Sequence, residues 1–360
     1  MVCLIAAAVY ANAVGNTFVL DDGGIIRDNA LVHTISGVWR GFVEPYWPPP
    51  SPAGQYRPIA VASFAFDWVV SGGSPAFMHA MNVAWHVAAC FLVWLLLAEL
   101  LPLPGALIGV IFFALHPVHV EAVSNTVGRC DVMAATFALA ALLAHRRGSM
   151  WAVAFFALAL GSKESGVVVL GLAVANDILL DGGESAVPGE AVGAPRGWAV
   201  IRLRWRVYAG YLCVVALYAA AVGLVFRHRS FELVAAMWTG ASTVDRWLTM
   251  AALVPEYVRL VFAPFHLKIE YSPRDVVLQH TLSWAVLSGL AIIAALGAAI
   301  AYCWRRAPAV AYGLAFFAIA IFPVSNVVFP TGIAIAERAF YLPTVGAALV
   351  VGWLGYRLVL

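Results

Sequence analysis

Apolar residues run along this chain in long blocks, without the alternating or striped patterns of a water-facing fold. A helix crossing a bilayer needs about 20 predominantly apolar residues, somewhat fewer where protein surrounds it. Ten blocks pass that test: 1–15, 77–100, 104–120, 131–145, 149–162, 165–180, 207–226, 282–303, 308–325 and 343–359. The first lacks the basic start of a secretory signal and is short for an ordinary span, so it is expected to lie tilted within protein or to follow further chain. The last reaches Leu360 without a polar tail, an expectation of more chain beyond it. The pattern predicts an all-α polytopic membrane protein, a single transmembrane domain over 1–360 and, by its solvent, a bilayer partner.

The connections divide by chemistry. One class carries arginine, at Arg146 and Arg147, at Arg305 and Arg306, and in the Gly/Pro/Glu stretch 181–206 that ends in Arg202, Arg204 and Arg206. Basic residues beside spans resist translocation, so these are expected on the cytoplasmic side. Alternating with them, and expected outside, are polar-aromatic segments at 16–76 and 227–281 and tight turns at 116–131, 162–166 and 326–342. Counting Lys and Arg gives 9 inside and 12 outside, so the assignment rests on the weaker weight of long loops. Block 245–264 is long enough to cross, yet a crossing would put Arg305 and Arg306 outside. It therefore reads as re-entrant or interfacial.

Composition agrees with the pattern. The chain is 63% hydrophobic and 11% charged, against about 25% charged in soluble domains. A net charge of +2 without a basic tract excludes a nucleic-acid binder as well as a soluble globular enzyme or a disordered chain. Cys3, Cys90, Cys130, Cys213 and Cys303 sit mostly in apolar runs without metal-type spacing, and read as small core residues.

Ionisable residues near a membrane are costly and tend to persist where they work or are paired. Here they gather at block ends expected on one side: Asp21, Asp22, Arg57, His116, His119, Glu121, Arg129, Asp131, Lys163, Glu164, Glu337 and Arg338. That clustering predicts one polar cavity opening outward. Adjacent carboxylates such as Asp21 and Asp22 resist double ionisation, so one can serve as a base near neutral pH; the alternative is a solvated loop or a helix cap. His116 and His119, three apart, share a helical face and could hold a divalent metal with Glu121 or Asp21. Pro117 and the departure from the four-residue metalloprotease spacing favour hydrogen bonding instead. Arg129 with Asp131, and Lys163 with Glu164, stand where helices begin, which suits a phosphate; the alternative is that each pair neutralises itself.

Several of these residues recur in one order: Phe18 to Asp22, Tyr56 to Pro58, Asn82 to His86, His116 to Val123, Gly128 to Asp131, Lys163 and Glu164, Phe322 to Asn326, and Ala336 to Pro343. Over 18–343 the chain resembles the membrane domain of the transmembrane and tetratricopeptide-repeat-containing O-mannosyltransferases and their bacterial relatives, in the GT-C superfamily. The resemblance implies a GT-C-like bundle with a catalytic first extracytoplasmic loop, 16–76. It also implies an inverting glycosyltransferase that moves sugar, mannose-type favoured, from a polyprenyl-phosphate donor to a hydroxyl acceptor such as protein Ser/Thr. The implied base is Asp21 or Asp22, and Arg129, Lys163 and Arg338 are the implied phosphate holders. Arg57, His116, His119, Glu121, Asp131, Glu164 and Glu337 are expected to bind substrate or line the cavity. The implied location is the cytoplasmic membrane of a bacterium or the endoplasmic reticulum of a eukaryote. The tetratricopeptide repeats are absent from this sequence. The rival class is a transporter or flippase of lipid-linked sugar, which would favour internal repeats and charges at mid-membrane depth.

Overall fold

The computed structural model describes residues 1–49, 51, 53–180, 198–227, 238–269, 271, 275–328 and 330–359, and among them every regular element is a helix. In chain order these are α1 (Val2–Val9), α2 (Gly37–Arg40), α3 (Pro58–Ser71), α4 (Pro75–Leu100), α5 (Leu103–Ala114), α6 (Val120–Ser124), α7 (Arg129–Arg146), α8 (Trp151–Ser162) and α9 (Val168–Leu179). There follow α10 (Trp198–Leu203), α11 (Trp205–Phe226), α12 (Thr243–Phe262), α13 (Trp284–Cys303), α14 (Pro308–Ile321) and α15 (Pro343–Val359). Most of the expected arginine-bearing loop 181–206 and part of 227–281 lie outside the described residues.

Four described helical segments are long and apolar enough to cross a membrane: α4, Thr126–Arg146, α11 and α13. A fifth is added if α5 and Pro117–Ser124, bent by 46°, act as one broken span. That is fewer than the ten blocks counted in the sequence, and length is the reason. α8 and α9 have 12 residues each, about 18 Å at 1.5 Å per residue, against a hydrocarbon core of about 30 Å. α12 spends its length differently: Asp245, Arg246, Glu256 and Arg259 interrupt it, and it packs along α13. Segment 16–76 is not all loop. Pro58 at the first turn and left-handed Gly72 after the last bracket α3, a short apolar helix within the stretch expected to be loop.

Burial separates inner from outer helices. The most apolar stretch of the α7 span is 78% enclosed, against 11% for α11 and α13, so α7 is the axis and the other two are peripheral. α15 is seated by small residues. Gly109 lies so close to it that a Cβ would come within 2.5 Å of the Ala348 carbonyl oxygen, and Gly105 faces Gly352 in the same way. Gly313 of α14 meets Gly346 from the other side. Such close approach lets backbones gain dispersion where lipid offers no hydrophobic drive. The five cysteines are free, and Cys213 is exposed on α11, unlike the core position expected of it.

α7 thus carries polar groups at both ends, Asp131 at one and His145 and Arg146 at the other. They are separated by about 22 Å of helix.

Candidate functional site

The chain enters the site through a tight turn. Leu20 takes a left-handed φ of 48°, rare for a residue with a side chain. The turn closes on Asp22: one carboxylate oxygen accepts the Val19 backbone N–H (3.2 Å) and the other that of Val127 (2.8 Å). Asp22 is fully buried, and burial pushes its carboxyl above the ordinary range against those donors and nearby His79. The adjacent carboxylate is that of Asp21. It is half-buried, makes no hydrogen bond among the described residues, and is one of three carboxylates whose charge bears on Arg338.

At this end of α7 the ion pairs connect segments distant in sequence. Lys163 Nζ lies 2.6 Å from Asp131, and Arg57 grips Glu164 through Nε (2.9 Å) and Nη2 (3.0 Å). Arg338 pairs with Glu121 through its guanidinium, and its backbone N–H donates to the same carboxylate at 2.8 Å. Burial would lower the Arg338 guanidinium, but Glu121, Asp131 and Asp21 raise it above its ordinary value. Glu164 behaves conversely: burial would raise it, and Arg57 holds it below the usual carboxylate range. Pairing of Arg129 with Asp131 and of Lys163 with Glu164, the alternative read from the sequence, is not what forms. Gly166, three residues after Lys163, lies so close to the end of α8 that a Cβ would come within 2.5 Å of the Ala159 backbone.

Glu337 joins this neighbourhood from beneath. It is buried, accepts the Lys268 backbone N–H (2.5 Å) and the Tyr271 hydroxyl (3.1 Å), and burial pushes its carboxyl up against those donors. A narrow crevice begins at Asp131 and runs between α7, the Ser165-Gly166 turn and α14, walled by Ala134, Ala135, Ala320, Ala339 and Leu342.

Arg129, His116 and His119 are not brought to this cavity. Arg129 is completely buried; it donates to Asn82 Oδ1 (2.7 Å) and the Met78 carbonyl (2.8 Å), pairs with Asp67 and lies 5.0 Å over the Phe64 ring. A donor phosphate, the partner expected of Arg129, would have to break that set. His116 spends both nitrogens on backbone, Nε2 donating to the Val261 carbonyl (2.8 Å) and Nδ1 accepting the Val118 N–H (3.2 Å). His119 is fully buried, with Nε2 2.7 Å from Thr344 Oγ1. These imidazoles do not fit a metal site, and no group of three metal-type donors forms among the described residues.

Asp67, Asn82 and Tyr271 carry much of this architecture and were not singled out for chemistry in the sequence. Asp67 left a signal, a lone acid within the apolar run Phe64 to Val70.

The chain is 26% identical to the mouse "Protein O-mannosyl-transferase TMTC3" over 98% of its own length and 42% of that protein. It is 24% identical to the human protein of the same name, over 97% of the chain and 41% of the relative. The fruit-fly "Protein O-mannosyl-transferase Tmtc1" matches at 26% identity, over 97% of the chain and 50% of the relative. No protein-family profile and no solved structure matches. The chain spans half or less of the length of these curated relatives. Matched from end to end against one part of each, it is a distant homologue of the TMTC protein O-mannosyl-transferases.

Proposed function

We propose that this chain is the membrane domain of an inverting GT-C-type glycosyltransferase. It takes a sugar, mannose-type, from a polyprenyl-phosphate donor and gives it to a hydroxyl, as on protein Ser/Thr, at the extracytoplasmic face. The observation that carries the reading is Asp21: a half-buried carboxylate that makes no hydrogen bond among the described residues and whose charge acts on Arg338, at the end of α7 where ion pairs join separate segments.

The chemistry follows from that placement. The acceptor oxygen attacks the anomeric carbon while Asp21 takes its proton; the bond from that carbon to the phosphate oxygen breaks, and the polyprenyl phosphate leaves with the electron pair. Attack opposite the leaving group inverts the anomeric centre. Arg338 and Lys163 supply the charge that stabilises the departing phosphate, turning part of their donor capacity from Glu121 and Asp131 toward it. Asp22, with both oxygens occupied, is a poor base and a good fastener.

The test is incubation of purified protein with radiolabelled polyprenyl-phosphate mannose and Ser/Thr-rich peptides. Label in peptide is expected; absence of transfer with any polyprenyl-phosphate sugar contradicts the reading. Orientation is checked separately with a membrane-impermeant thiol reagent on intact cells. It is expected to label Ser51→Cys and to spare Met150→Cys in the α7–α8 connection beside Arg146 and Arg147. The reverse pattern would move the site to the other face.

A further inference from the structure

Beneath the Asp21 turn, one fully buried side chain holds together what the chain leaves far apart. Asn82, within α4, directs its amide N–H groups at the backbone carbonyls of Asn125 (2.8 Å), Thr126 (3.2 Å) and Val123 (3.4 Å), and its Oδ1 accepts Arg129 Nε (2.7 Å). The carbonyls belong to the end of α6 and to the bend that leads from it into α7. That bend presents the Val127 N–H, which clasps Asp22 at 2.8 Å. Gly128 closes it from below, so near α6 that a Cβ would meet the Ala122 carbonyl oxygen at 2.5 Å. On its far side Asp22 binds Val19, closing the turn that contains left-handed Leu20 and sets Asp21.

We propose that Asn82 is a positioning residue for sugar transfer: through the 125–128 bend and the Asp22 clasp it fixes where Asp21 stands relative to Arg338. The proposal rests on reading Asp21 as the base. A buried amide suits the task because it alone offers donors to the carbonyls and an acceptor to the guanidinium at once. The turn it steadies includes a strained residue, which persists only where its surroundings over-determine it.

Asn82→Asp is the informative variant. It keeps the shape and the acceptor for Arg129 but loses the amide donors. Turnover is expected to fall on the order of a hundredfold, as for a misplaced catalytic group, with the KM for donor unchanged. Amide hydrogen exchange is expected to quicken at 17–22 and 123–128, with the rest of α4 and α7 still protected. Near-normal turnover, a rise in donor KM alone, or exchange spread through both helices would overturn the proposal. If Asn82→Asp does not fold, Asp22→Ala cuts the same arm outside the spans. The same loss of turnover is expected with the acid limb of the pH profile kept, and loss of that limb would overturn it. A wild-type protein that transfers no sugar defeats the reading of function instead. The exchange measurement then still decides on the arm, since unchanged exchange at 17–22 in Asn82→Asp overturns it.

Discussion

At the far end of α7, Asp177 is enclosed and both of its oxygens are taken, by His145 Nε2 (3.1 and 3.3 Å), Asn176 (3.2 Å), the Tyr208 hydroxyl (2.7 Å) and Arg204. Arg146 and Arg147 share Glu99 at 2.7 and 2.8 Å. At the near end, Lys163 pairs with Asp131 and Arg338 with Glu121, while Asp21 is half-buried and has no hydrogen bond among the described residues. Both ends are rich in charge, yet the buried carboxylate at one, Asp177, is fully engaged, and the half-buried carboxylate at the other, Asp21, is not. Charge density alone therefore does not mark a site in such a protein; unspent hydrogen-bonding capacity does.

The comparison breaks most visibly at Asp177. Removing one member of a buried ion pair strands the others, which costs about 3–5 kcal/mol. Asp177→Ala is therefore expected to lower the melting temperature in detergent sharply, and an unchanged melt would show that this end is not a fastener. At the other end, Lys163→Ala is expected to weaken donor binding by about 1.5–3 kcal/mol while the melt is nearly kept. If Lys163 serves only its pair, Lys163→Ala lowers the melt, donor affinity stays, and adding Asp131→Ala restores stability.

The smallest effect concerns pH. Glu337 has a folded pKa above its ordinary 4.5. The folded protein then holds a proton that the unfolded chain has released, and stability falls as pH climbs from 4.5 toward the folded value. Glu337→Gln should flatten that decline. Glu164, held below 4.5 by Arg57 despite burial, contributes with the opposite sign. Its stabilisation is present above 4.5 and fades as pH falls through the lower folded value. Denaturation curves across acid pH, for both Gln variants, read the two slopes.

How far the sequence was legible depends on the scale of the signal. The blocks behind α4, α7, α11 and α13 announce themselves because an apolar run of span length has few other uses. The polar neighbourhood was also legible, since charges at the ends of separate blocks had to meet or be solvated. Partners were not. Arg129 with Asp131 and Lys163 with Glu164 look paired because they are adjacent in sequence. Residues one or two apart on a helix point to different faces, and the structure pairs them with Asp67, Asp131 and Arg57 instead. The division between Asp21 and Asp22 was equally hidden, because it depends on Val127, which the fold brings from more than a hundred positions away.

The central claim is that Asp21 works while its surroundings hold it. Sugar transfer and melting temperature measured together on Asp21→Asn test it most directly. Asn keeps the size of the side chain but cannot take the acceptor's proton. Transfer is expected to be abolished with donor binding and melting temperature retained; transfer near the wild-type rate would contradict the role of Asp21 as base.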